Sequence, residues 1–90
     1  MDIKDYCKKK GYSEEYAKYW EAHKFCELCT SYSSPPHHIK TRGAGGVDDP
    51  SNLLALCLPH HNEVHNIGWK TFGLKYPKVF MKMNNAMMKG

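Results

Sequence analysis

Cys57-Leu58-Pro59-His60-His61-Asn62-Glu63-Val64-His65, taken with Pro35-Pro36-His37-His38-Ile39-Lys40, decides how the rest of the chain is arranged. Five of the six histidines and three of the four cysteines fall between residues 26 and 65. Cys26-x2-Cys29 and Cys57-x2-His60 have the spacing of two knuckles, each a tight turn offering two ligands to one ion. Four tetrahedral N/S ligands make a closed zinc site, which is structural because no position is left for substrate. His37, His38, His61 and His65 remain as a second set. A metal held by two or three histidines keeps open positions, as catalytic sites do.

The local pattern places these ligands on elements. Pro59 suits the first turn of a helix running from about His60 to Ile67 and ended by Gly68. His61 and His65 are four apart and share one helical face, whereas His60 points roughly 100° away around the helix. The two ligand sets are thereby separated. His37 to Thr41 is expected as a strand, on which His37 and His38 would point to opposite faces. Leu53 to Leu58 is a short apolar run, expected as a buried strand or the approach to the helix. Between them lie the glycine-rich Arg42-Gly43-Ala44-Gly45-Gly46 and the turn-rich Asp48-Asp49-Pro50-Ser51.

Outside this window the pattern is helical. Asp2 caps a helix to Lys10 stopped by Gly11, and Ser13 caps a second from Glu14 to about Lys24. Tyr16, Tyr19, Trp20 and His23 share a face expected in the core, with His23 a core or helix-end residue and Cys7 a small core residue. Trp69 to Tyr76 is expected as a helix stopped by Pro77, followed by a packing segment through Met83 and a fraying end at 84–90.

Ninety residues make one domain, 1–90, of a size that usually needs a disulfide, a metal or an interface as a staple. The first ten residues are mostly charged or polar, unlike a signal peptide, and no run reaches the length of a membrane span. A cytoplasmic location, in a bacterial host if the chain is phage-encoded, is therefore expected, where closely spaced cysteines favour metal over disulfide. The net charge is +4, and five lysines with no acid follow Glu63, a balance suited to a polyanion such as DNA.

His-His-Ile, then Gly-Gly-Val-Asp-Asp-Pro-Ser-Asn-Leu-Leu-Ala-Leu-Cys, then His-His-x3-His resembles the HNH (ββα-metal) nuclease motif. The form His37-His38-Ile-Lys-Thr-Arg-Gly-Ala-Gly-Gly is similar to that of small zinc-containing HNH proteins of phages and prophages. The resemblance covers residues 26–67. It implies a small α+β fold: a ββα-metal (His-Me finger, treble-clef-like) core with zinc knuckles, flanked by amino-terminal helices and a carboxy-terminal helical tail. It implies a metal-dependent DNA endonuclease in which His38 is the general base. Asn52 would orient the catalytic histidine or brace the loop between the strands, and His61 would be a ligand of the catalytic ion. His37 matches a position often held by aspartate and also a ligand, while His65 matches a histidine of only some members. His60 departs from the more usual second cysteine of the knuckle, but histidine is an ordinary zinc ligand.

The expected chemistry is hydrolysis of a phosphodiester to a 5′-phosphate and a 3′-hydroxyl, with Zn²⁺ structural and Mg²⁺, Mn²⁺, Ni²⁺ or Co²⁺ catalytic. Arg42 and Lys40 are candidate phosphate contacts, and Gly43, Gly45 and Gly46 would let the backbone approach nucleic acid closely. A single site would nick, and the chain is expected as a monomer or weak dimer. Two other readings compete: a catalytically inactive zinc-knuckle module that only binds nucleic acid, and a structural protein with two closed zinc sites.

Overall fold

Leu53, Leu54, Ala55 and Leu56 are all fully buried because the two faces of this extended segment feed two different cores. Side chains alternate across a strand, so Leu53 and Ala55 turn one way and Leu54 and Leu56 the other. The first pair meets Cys7, Tyr16, Ala17 and Tyr19 from the amino-terminal helices. The second meets Ile39, Val64, Phe72, Val79, Met83 and Ala86. A helical layer therefore lies on each side of the central segment, and the continuous apolar run follows from burial on both faces.

The computed structural model describes residues 2–88. Helices α1 (Ile3–Lys10) and α2 (Glu14–Ala22) lead into strand β1 (His37–His38), which pairs antiparallel with β2 (Leu53–Leu54). Helices α3 (Leu58–Ile67), α4 (Trp69–Lys75) and α5 (Pro77–Met88) follow. Among the described residues the protein is thus a small α+β fold of five α-helices and a two-stranded sheet. None of these helices is long and apolar enough to cross a membrane.

The helix starts follow their caps. Asp2 accepts from the Lys4 amide and Ser13 from the Tyr16 amide, while Gly11 ends α1 at φ +78°. The second helix stops at Ala22 rather than Lys24, because His23 caps it with its own amide and Nδ1 on the Tyr19 carbonyl. His23 is exposed, a helix-end residue rather than part of the core. Cys7, Tyr16 and Tyr19 are buried as expected.

The first strand is shorter than the expected His37–Thr41. Beyond Ile39 the Asn52 side chain takes over the backbone: its Oδ1 accepts from the Lys40 amide at 2.8 Å. Its Nδ2 donates to the carbonyls of Lys40 at 3.0 Å and Val47 at 2.9 Å. A side chain that satisfies both groups of Lys40 removes the incentive for further strand pairing. Gly46 closes the same loop, since a Cβ there would lie 1.7 Å from the Lys40 carbonyl oxygen. That glycine is required by the close packing of its own loop.

Pro77 does more than stop α4. It opens α5, where its missing N–H costs nothing. Val79, Met83 and Ala86 bury one face of α5, so the helix runs on through the segment expected to fray. Lys89 and Gly90, the end of that segment, lie outside the described residues. The carboxy-terminal lysines are also less available than their number suggests. Lys75 pairs with Glu63, Lys78 Nζ donates to the Glu27 carbonyl at 2.7 Å, and Lys82 lies over the Tyr19 ring at 5.0 Å.

Candidate metal centres and the histidine cleft

Cys26 and Cys29 sit on a turn closed by the Cys26 amide on the Ser31 carbonyl at 2.8 Å. The Glu27 amide ties that turn to the Ala55 carbonyl at 2.9 Å. Cys57 is the N-cap of α3, and His60 lies in its first turn. The four ligand atoms lie within 4.8 Å of one another. Cys57 Sγ is 3.1 Å, Cys26 Sγ 3.5 Å and Cys29 Sγ 3.9 Å from His60 Nδ1, with Cys29 and Cys57 sulfurs 3.7 Å apart. Bond lengths of about 2.3 Å to sulfur and 2.0–2.1 Å to nitrogen give tetrahedral edges of roughly 3.5–3.8 Å, close to these separations. The residues present therefore fit zinc. The Ser31 amide and hydroxyl hold the Cys29 thiol down to about 6, which favours the thiolate a metal requires, whereas burial pushes the Cys57 thiol up. The His60 ring packs edge-on against Tyr76 at 5.2 Å, and Tyr76 in turn donates to Glu63 at 2.6 Å.

The adjacent His61 belongs to the other set. His37, His61 and His65 form a triangle of rings with centroids 4.8–5.2 Å apart, and one ring nitrogen of each lies within 4.8 Å of the others. His37 is buried, His61 half-buried and His65 exposed. Burial, helped by the neighbouring imidazoles, lowers His37 to about 3, and burial also lowers His61. Both are thus held neutral, the form that binds metal.

Ser34 fixes which nitrogen of His61 is free. Its hydroxyl lies 2.8 Å from the Leu56 carbonyl and 3.1 Å from His61 Nδ1. With its one proton donated to the carbonyl, the hydroxyl accepts from Nδ1–H, leaving the Nε2 lone pair for the triangle. Ser34→Ala is expected to weaken second-ion binding about 10- to 100-fold, measured by calorimetric titration of the zinc-loaded protein, with the structural zinc retained.

His38 stands apart from the triangle. Its ring stacks on Tyr16 at 5.2 Å and 17°, and its Nε2 is 2.7 Å from Asp48 Oδ1. Tyr16 is itself fixed by a 2.6 Å hydrogen bond to the Pro36 carbonyl, and burial raises its phenol so that it remains a donor. Although adjacent strand residues diverge, His37 and His38 line a common cleft of about 280 Å³. His61, His65, Tyr12 and Arg42 also border it, with Arg42 lying 5.9 Å from the Tyr12 ring. Asn52, buried in the loop, braces the backbone as described above. Lys40 lines a different hollow, with Gly46 and Asn52. A larger hollow of about 360 Å³ opens between α1 and α2 beside Cys7, away from both ligand sets.

Asp48, Ser34, Tyr12 and the cleft-lining role of Tyr16 were not evident from the sequence. Asp48 read as a turn residue and Tyr16 as core, because their pairing with His38 depends on chain segments 10 and 22 residues away.

No family model matches the chain, and no solved structure matches it. Over 55 residues, 58% of its length, the chain is 34% identical to the uncharacterized protein YdfU of Escherichia coli (strain K12). It spans 16% of that protein's length.

Proposed function

We propose that this protein is a metal-dependent DNA endonuclease of the HNH (ββα-metal) type, with a zinc-stapled, treble-clef-like core. The carrying observation is the division of labour inside one cleft: three histidines bring a ring nitrogen each within 4.8 Å of the others while a fourth, His38, is held aside by Asp48 and Tyr16. A closed structural site has no need of that fourth histidine, nor of a cleft in front of it. The succession β1, β2, α3, with His38 on the first strand and His61 on the helix, supports the same reading.

In this mechanism His38 takes a proton from the attacking water as general base. His37, His61 and His65 would hold a divalent ion, which would supply Lewis-acid stabilisation of the phosphate. Arg42 meets a phosphate oxygen at the cleft rim, where its planar fork suits a bidentate contact. Asn52 acts at a distance, keeping the Lys40–Val47 loop closed behind His38. Lys40 is left outside the cleft, as a contact to a flanking phosphate at most.

The ligand set gives a sharp test. Mg²⁺ prefers oxygen ligands, whereas imidazole suits softer ions. Nicking of supercoiled plasmid is expected to be faster with Mn²⁺ or Ni²⁺ than with Mg²⁺, and absent with EDTA. A clear Mg²⁺ preference would count against His37 and His61 as joint ligands. Retarded DNA on a gel without cleavage under any ion would replace the nuclease with a binding module.

A further inference from the structure

The contact between His38 and Asp48 is built from three parts of the chain. Nε2 and Oδ1 are 2.7 Å apart, and the two side chains are only 13% and 17% exposed. Asp48 comes from the loop ahead of β2, His38 from β1, and the Ser13 hydroxyl and amide reach the same carboxylate from the cap of α2. Burial alone would raise the Asp48 carboxyl, but the bonds from Ser13 and His38 outweigh it and keep it below its ordinary value. Ser13 serves both tasks with one hydroxyl, since its oxygen accepts from the Tyr16 amide at 3.2 Å while its proton is free for Asp48. Tyr16 then closes the far face of the imidazole.

We propose that Asp48 is a positioning residue, holding His38 with Nε2–H on the carboxylate and the unprotonated Nδ1 as the basic nitrogen. An ionised carboxylate only accepts, so the ring nitrogen facing it carries the proton. Nδ1 is then the single His38 nitrogen with a lone pair. Resting on the nuclease reading above, the step follows directly. An O–H bond of water breaks and its proton goes to Nδ1 while the water oxygen bonds to phosphorus. The P–O3′ bond breaks, its electron pair stays on O3′, and that oxygen takes a proton from solvent. The imidazolium formed at His38 is stabilised by the carboxylate already in place, with no rearrangement during the reaction.

Nitrogen-15 spectroscopy of the zinc-loaded protein, beside cleavage kinetics, tests this. In the wild type the neutral His38 ring should carry its proton on Nε2, with a downfield, slowly exchanging signal that Asp48→Ala removes. Asp48→Ala and Asp48→Asn should each lower kcat roughly 100-fold, with KM and the affinities for both ions within about threefold of wild type. A purely structural role would be rescued by the isosteric Asn. Restoration of kcat by Asn, or a wild-type His38 with its proton on Nδ1, overturns the assignment. Wild-type protein that cuts nothing would overturn the nuclease reading instead, and the ring-nitrogen spectrum alone would then decide the role of Asp48.

Discussion

Supercoiled plasmid given the His38→Ala variant and Mn²⁺ should stay closed under conditions in which the wild type nicks it. Loss of a general base typically costs about 10²- to 10⁴-fold, enough to leave a plasmid assay blank. The substitution is unusually clean. His38 belongs to neither ligand set, so zinc content and the second ion's affinity should be unchanged by metal analysis and titration. Asp48 keeps its Ser13 partners when the imidazole is removed, so no carboxylate is stranded without donors. The lost Tyr16 stack and hydrogen bond should lower stability by about 1–3 kcal/mol, visible as a modest fall in melting temperature. His61→Ala should also abolish cleavage, but by a different route, because it removes a corner of the triangle and with it the second ion. The pair of variants therefore separates base from ligand. Full activity in His38→Ala would move the base elsewhere.

How much of this was legible in the sequence depended on the range of each interaction. The Cys26, Cys29, Cys57 and His60 cluster was legible because two ligands three apart on a turn, or three apart at a helix start, announce themselves locally. The division of His60 from His61 followed from helical geometry alone. The apolar run Leu53 to Leu58 was legible as a buried strand or the approach to a helix, and it is in turn β2, a buried stretch to Leu56 and the start of α3, where Leu58 is exposed. By contrast, β1 proved shorter than its pattern because the Asn52 side chain, twelve residues on, claims the backbone of Lys40. Nothing in residues 37–41 could reveal that. Asp48 was hidden for the same reason, its role arising from where the loop and the α2 cap meet. At the lysine-rich end the charge was legible but its contacts were not: Lys75 pairs with Glu63, Lys78 donates to the Glu27 carbonyl and Lys82 lies over the Tyr19 ring.

Removing zinc should unfold the protein rather than merely inactivate it. The two knuckles join distant parts of the chain, Cys26 and Cys29 on one turn and Cys57 and His60 at the start of α3. Cys26 and Cys57 are also members of the core that holds α3, α4 and α5 against β2. Without the ion, four ligand groups evolved to share one centre would be left packed against each other, two of them buried. Metal binding in small structural sites is worth about 10–16 kcal/mol, comparable to the roughly 5–15 kcal/mol by which a whole domain is stable. A chelator strong enough to strip zinc should thus abolish the cooperative thermal transition, and Cys57→Ala should behave in the same way without chelator. Even a partial loss of about 3 kcal/mol would lower the melting temperature by roughly 12–24 °C in a chain of this size. Circular dichroism with parallel zinc quantification reads both outcomes. The consequence extends to the histidine cleft, because α3 carries His60 of one candidate ligand group and His61 and His65 of the other. Second-ion binding should therefore vanish with zinc, whereas His61→Ala should spare zinc. Zinc-free protein that still melts cooperatively near the wild-type temperature would show that the apolar cores suffice and that the knuckles serve something other than stability.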